Sequence, residues 1–377
     1  MTPTAPRGIV MDDRQRLHWL RLSRVNGIGP ATFRDLINHC GTAERALEAL
    51  PELSRRASGR RRIVIPPEAS IAREAEHLAR FGGRIVCSGE PDYPPALRAV
   101  DAAPMVLLVK GEGRALRRSA VGIVGSRAAS LASVKLTRGF AQAFAAAGLT
   151  VVSGMARGID GAAHEGSLEA GTVAVVAGGI DVVYPPEHAK LAEAIVAGGG
   201  AIVSEMPFGW KPRAKDFPRR NRIIAGMSLG LLVVEAALRS GSLITARMAN
   251  EMGREVFAVP GSPLDPRSAG ANGLIHEGAT FTTEPANVLD ALRPLLGGAA
   301  PTPAPAVLEE APAAAPLRLP EGGEREAVLA ALDRTPVSVD ELVRFTGLSP
   351  GAVQLVLLEL DLGGAVVRHP GNRVSSL

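Results

Sequence analysis

The arrangement of apolar residues between Pro66 and Leu296 constrains this chain more than any other feature. Eight short runs, RIVCS, MVLLV, AVGIVG, LTVVSG, TVAVVAG, AIVSE, LGLLVVEA and EVFAVPG, are apolar nearly throughout rather than at every second position. A strand with one wet face alternates, so a continuous run needs apolar cover on both faces. Ala-rich stretches such as Ser133–Ala147 and Ser242–Met252 lie between the runs and supply that cover as helices. The expected fold class is α/β: an extended Rossmann-like, doubly wound, mainly parallel sheet over residues 66–296, with any ligand held beyond the carboxyl ends of its strands.

Two smaller units flank this core. Residues 1–65 read as a small helical N-terminal domain whose G-x-G-P turn, Gly27, Gly29 and Pro30, resembles a helix-hairpin-helix. Such a turn is either an ordinary tight helical connection or a place where free amides hold a phosphate. The basic run SRRASGRRR, Ser54–Arg62, reads as a solvated loop closing this domain. Residues 297–323, rich in Pro and Ala, read as a linker. Residues 324–377 offer a helix to about Leu332, a second at Val339–Phe345, a third at Pro350–Asp361, and a hairpin around Pro370-Gly371-Asn372. That pattern predicts a C-terminal winged helix. Its third helix carries no Lys or Arg, whereas a major-groove reader needs cationic or amide side chains, so protein contact or plain support is its expected role.

Several classes are excluded or disfavoured. No uninterrupted apolar stretch reaches the roughly 20 residues of a membrane span. The start MTPTAPRGIVMDD lacks a signal-peptide apolar region, so a cytoplasmic protein without membrane contact is expected. Cys40 and Cys87 have no ligand-like spacing and read as buried apolar residues, with no metal or cofactor implied. VGIVGSR is not the G-x-G-x-x-G of a dinucleotide site, and the following strand ends in Ser-Gly instead of an acid for the ribose. No P-loop motif is present.

The polar residues that remain gather after the strands. VGIVGSR ends in Gly125, Ser126 and Arg127, a turn where backbone amides can approach an anion and an Arg adds a charge-assisted contact. SGMARGIDGAAHEG follows the next strand. Asp160 lies four residues before His164, which permits an Asp-His catalytic pair with Ser153; Asp160 as a helix cap with His164 as its satisfied neighbour explains the same spacing without a reaction. GGIDVVYPPEHAKL brings Tyr184, His188 and Lys190 toward the same edge. SEMPFGWKPRAKDFPRRNRIIAG then places Lys211, Arg213, Lys215, Arg219, Arg220 and Arg222 around Phe208, Trp210 and Phe217, with Asp216 expected as their only opposing charge. Cations track a phosphate backbone and aromatic faces stack unpaired bases, which suits single-stranded nucleic acid; a solvated basic loop with a structural Arg pair accounts for part of the charge. Ser240, Gly241, Ser242 and Thr245 form a further candidate anion-binding turn at a helix N-terminus.

VGSR, SGMARGID, GGIDVVYPPEH, FPRRNRIIAG, EAALRSGSLITARMA and VFAVPG, in this order and spacing, resemble the DNA processing protein A family (DprA, also called Smf). The resemblance covers Leu17 to about Leu296. It implies a non-catalytic, dimeric single-stranded DNA binder that protects incoming DNA during natural transformation or recombination and loads RecA recombinase. Carried over by position, Arg127 is the leading phosphate contact. Ser153, Gly154, Arg157 and Gly158 of the SGMARGID loop line the same pocket, with Lys215, Phe217, Arg219, Arg220, Asn221 and Arg222. The Tyr-Pro loop departs from the family pattern, with His188 where relatives have Asn, and Lys190 stands in for their lysine. The rival class is a nucleotide-cleaving phosphoribohydrolase on a related fold, whose P-G-G-x-G-T signature is replaced here by RSGSLITA.

Overall fold

The computed structural model describes residues 10–57, 63–297, 322–369 and 371–377. The predicted linker lies outside them except at its ends, as does the part of the basic run after Ala57. The described residues form two compact units, one over residues 74–297 and the other combining residues 10–73 with 322–377.

In the second unit the chain begins with α1 (Asp13–Ser23), α2 (Pro30–Cys40), α3 (Ala43–Arg56) and the start of α4 (Glu68–Arg80). Asp12 and Gln15 close α1 with a reciprocal capping box. Pro30 occupies the first turn of α2, where its missing N–H would have no partner anyway. Trp19 and Phe33 pack at a tilt in the core of this helical group, with ring centroids 5.1 Å apart.

The larger unit follows. Its elements are β1 (Gly83–Cys87), α5 (Pro95–Arg98), β2 (Val106–Gly111), α6 (Gly113–Arg117), β3 (Ala120–Gly125), α7 (Leu131–Ala146), β4 (Thr150–Ser153), α8 (Ile159–Gly166), β5 (Thr172–Val175) and α9 (Ala189–Ala197). They continue with β6 (Ala201–Ser204), α10 (Asp216–Met227), β7 (Gly230–Val234), α11 (Gly241–Glu251), β8 (Glu255–Ala258), α12 (Ala269–His276), β9 (Thr280–Phe281) and α13 (Pro285–Gly297). All eight predicted runs are strands of one sheet, ordered β1-β2-β6-β5-β4-β3-β7-β8-β9. From β6 to β9 the neighbours are parallel, whereas β1 and β2 add an antiparallel edge. Successive residues feed opposite layers: Leu231 and Val233 join one apolar cluster, Leu232 and Val234 the other. This is the two-sided cover that the continuous runs require. From β3 the chain winds one way through β4, β5 and β6, then returns to place β7 on the other side of β3. The topological switch point therefore lies between β3 and β7.

The C-terminal segment supplies α14 (Gly322–Ala331), β10 (Val337–Ser338), α15 (Val339–Thr346), α16 (Pro350–Leu362), β11 (Val366–His369) and β12 (Arg373–Ser376). Its three-stranded sheet, β10-β12-β11, makes the winged helix complete. Ser338 and Glu341 form a capping box at the start of α15, and Gly347 ends that helix in the left-handed region with φ 68°.

Candidate functional site

A cleft of about 660 Å³ opens at the switch point. One wall is the turn after β3, the other the segment after β7, and the amide of Ser126 donates to the Glu235 carbonyl at 2.7 Å to join them. α10 and the N-terminus of α11 complete it. Of the predicted residues, Gly125, Ser126, Arg127, Phe217, Arg220, Asn221, Ser240, Gly241, Ser242 and Thr245 line this cleft. A smaller cavity of about 210 Å³ shares Arg127 and Phe217 with it and adds Gly154, Arg157 and Tyr184. Arg127 lies between the two, its guanidinium 5.1 Å from the centroid of the Phe217 ring, and the Tyr184 ring meets Phe217 edge-on at 5.9 Å. Arg127 is exposed and has no carboxylate partner among the described residues.

Arg239, which the sequence reading passed over, also lines the cleft, exposed and without an ion pair among the described residues. Its signal was its place in ALRSGS, one residue before the candidate anion-binding turn. Ser240 caps α11 through the Ser242 amide, and the two hydroxyls lie 2.6 Å apart. The cleft thus combines two unpaired guanidinium groups, a helix N-terminus and an aromatic face, a combination chemically suited to a phosphodiester with an adjoining base.

Other predicted residues are placed elsewhere. Ser153 is buried and its hydroxyl donates to the Ile123 carbonyl at 2.6 Å. Gly154 is needed because an added Cβ would overlap the Arg220 guanidinium. Gly158, at φ 71°, passes so close to the Ser126 carbonyl that any side chain would collide with it. Both glycines thus serve packing against neighbouring protein groups. Lys190 and Lys215 are exposed and line neither cavity. Arg157 is paired with Glu187.

The charge balance of the basic segment also needs correction. Glu205, at the end of β6, pairs with Arg219 at 2.6 Å and with Arg222 at 2.6 Å. Arg222 donates in addition to the Ala102 carbonyl. Asp216 is buried and accepts from the Trp210 indole at 2.9 Å and the Arg213 amide at 2.8 Å, so it closes a turn. Of the three predicted aromatics only Phe217 faces the cleft. Phe208 packs against His77 and Phe81, and Trp210 carries the Arg213 guanidinium 4.5 Å above its ring.

Arg220 is the buried centre of the region. Its Nη1 donates to the Gly154 carbonyl and, at 2.7 Å, to the Val175 carbonyl, while Nε donates to Asn221 Oδ1 at 3.1 Å. Burial pulls its pKa down to about 10, so it remains cationic at neutral pH. Asp160, also buried, has its carboxyl pKa raised by desolvation, an effect opposed by the Arg220 charge.

His164 does not bond to Asp160; its Nδ1 lies 3.0 Å from Thr172 Oγ1, and its Nε2 has no hydrogen-bond partner among the described residues. Burial, with His188 and Arg220 nearby, lowers its pKa from 6.5 to about 3. The unfolded chain therefore binds a proton below about pH 6.5 that the native state refuses, and stability is lost as pH falls from there toward 3, by about 1.4 kcal/mol per unit. Urea midpoints of the intact protein are expected to fall more steeply over this window than those of His164→Gln. Parallel pH profiles would show that the native imidazole takes up its proton normally.

Glu235, the acid at the end of β7, has a positive φ of 55°. Its carboxylate accepts from the hydroxyls of Ser130 and Ser133, both at 2.7 Å, and so secures the start of α7.

Known proteins resemble this chain. The family model for DNA recombination-mediator protein A matches residues 84–293, that for the DprA-like N-terminal HHH domain residues 13–76, and that for the DprA winged helix domain residues 309–372. Protein Smf of Escherichia coli is 37% identical over 361 residues, 94% of each chain. The structure of DNA processing protein A from Streptococcus pneumoniae superposes with a TM-score of 0.59 at 32% identity, covering 74% of this chain and 98% of that one. DNA processing protein A from Helicobacter pylori, described for its single-stranded DNA binding mode, gives 0.50 at 28% identity over 53% of this chain and 93% of that one. With its central unit and both flanking domains matched, the chain belongs to the DprA/Smf family, that of DNA recombination-mediator protein A.

Proposed function

We propose that this protein binds single-stranded DNA without catalysis, at the switch-point cleft. The observation that carries the reading is the pair of unpartnered guanidinium groups, Arg127 and Arg239, that line one cleft at the carboxyl ends of β3 and β7, with Arg127 beside the Phe217 ring. The relative from Helicobacter pylori, described as a single-stranded DNA binder, supports it. Phosphate contacts come first from Arg127 and Arg239, with Ser126 and the Ser240–Thr245 turn beside them and Lys215 and Lys190 further out. Arg220, Ser153, Gly154 and Gly158 shape the site from beneath. The same reading includes protection of incoming strands, loading of RecA recombinase, assembly as a homodimer and a cytoplasmic location; family membership supports each. Among the described residues no helix is long and apolar enough to cross a membrane.

The nucleotide-cleaving alternative needs a carboxylate presented to the ligand. Glu235 is engaged by Ser130 and Ser133, and the cleft-lining Asp160 is buried beside Arg220 and accepts from the Ala156 amide at 3.2 Å, which speaks for the binding reading.

Anisotropy of labelled oligonucleotides tests the proposal. Single strands are expected to bind in preference to duplex, whatever their sequence. Affinity should fall on the order of tenfold between 50 and 200 mM salt if about three phosphates are neutralised. Duplex preference, salt-independent binding, or hydrolysis of nucleoside monophosphates by the purified protein would overturn it.

A further inference from the structure

α16 is apolar around most of its circumference, and both of its sides are covered. Val353, Val356, Leu357 and Leu360 join the core of the winged helix, with Val328, Leu342, Val366 and Val374. Leu355, Leu358, Glu359 and Leu362, spaced as a second stripe along the helix, are buried as well but lie outside that core. This second stripe faces α2 and α3. The Thr32 hydroxyl donates to Asp361 Oδ2 at 2.7 Å, and Arg56 pairs with the buried Glu359 at 3.2 Å. Arg325 donates to the Arg56 and Ala57 carbonyls at 2.6 and 3.2 Å, and Gly363 sits so close to the Ala57 carbonyl that a Cβ there would be 2.8 Å from it.

The wing takes part. Arg368 Nη2 lies 2.5 Å from Asp35 and its Nε 3.8 Å from Asp361, so one guanidinium bridges an acid on α2 and an acid on α16. All three groups are largely shielded from solvent. Desolvation raises the pKa of Asp35 against the pull of Arg368, and burial raises that of Glu359 against the pull of Arg56. Two further polar groups of the wing are also engaged: His369 with the Ser375 hydroxyl at 3.0 Å and Arg373 with the Pro336 carbonyl at 2.5 Å.

We propose that the winged helix is an intramolecular clamp, in which α16 is committed to α2 and α3 of the same chain and Arg368 latches the wing to Asp35. The helix that other winged helices lay in the major groove is here unavailable to DNA. Both ends of the central unit are thereby tied to one body. Cutting the chain after Leu296 would accordingly uncover the faces of α2 and α3 rather than trim an independent module.

The test uses the full-length protein in an Asp361→Asn background, so that a reversed charge at position 368 meets no second acid. Asp35→Arg and Arg368→Asp, singly, are expected to speed amide hydrogen exchange in α2 and α16 together by tenfold or more, and the double reversal to restore most of the protection. Single- and double-stranded oligonucleotide affinities should stay within twofold throughout. Nitroxide labels on the exposed Asn38 and Val367 of the otherwise unchanged protein should give one narrow distance distribution. Unchanged α16 exchange in both single variants, a double reversal no better protected than either, or a broad label distribution would each overturn the clamp.

Discussion

Replacing Arg220 by Met is expected to destabilise the central unit by about 3–5 kcal/mol, the range for removing one partner of a buried charged network. Arg220 is only 6% exposed. Its loss strands two buried carbonyls, of Gly154 and Val175, and leaves the Asp160 carboxyl without its principal cationic neighbour. The two tryptophans of the chain allow the unit to be followed by itself: with Trp19→Phe, the remaining fluorescence comes from Trp210 in the central unit. The urea midpoint should drop sharply at unchanged slope. Adding Asp160→Asn should restore part of the loss, because the uncompensated acid is then removed. An unfolding free energy within about 1 kcal/mol of the parent would mean that the guanidinium is not part of the buried framework.

Arg127→Ala is expected to weaken single-stranded DNA binding by about 1.5–3 kcal/mol while leaving the unfolding midpoint where it is. The side chain is exposed and its charge is unpaired, so the folded protein loses little when it goes. The bound phosphate, by contrast, loses a charge-assisted donor. Arg127→Lys should recover only part of the affinity, since an ammonium cannot reproduce the planar fork or its stacking on Phe217. Arg219→Ala provides the contrast: its charge already faces Glu205, and its removal should shift affinity by less than about twofold. Equal losses at 127 and 219 would show that the segment acts as diffuse charge rather than through the cleft.

Local pattern was enough to determine the α/β architecture, the eight principal strands, the winged-helix elements and the turns that carry Gly125–Arg127 and Ser240–Thr245. Continuous apolar runs and helix caps act over a few residues, so their consequences are written in adjacent positions. β9 and β10 escaped because two residues each, Thr280–Phe281 and Val337–Ser338, are too short to show a period. What each cation does was decided by tertiary structure. Six positive charges within twelve residues look alike along the chain, yet Arg219 and Arg222 meet Glu205 from another strand end, and Arg220 passes over Gly154 to reach two distant carbonyls. Arg127 is left facing the cleft. The second buried side of α16 had the same origin: its missing cations ruled against a groove reader, but only the fold brought α2 and α3 against it. Ion pairing and desolvation depend on distances in space, and the fold sets these between residues far apart in sequence.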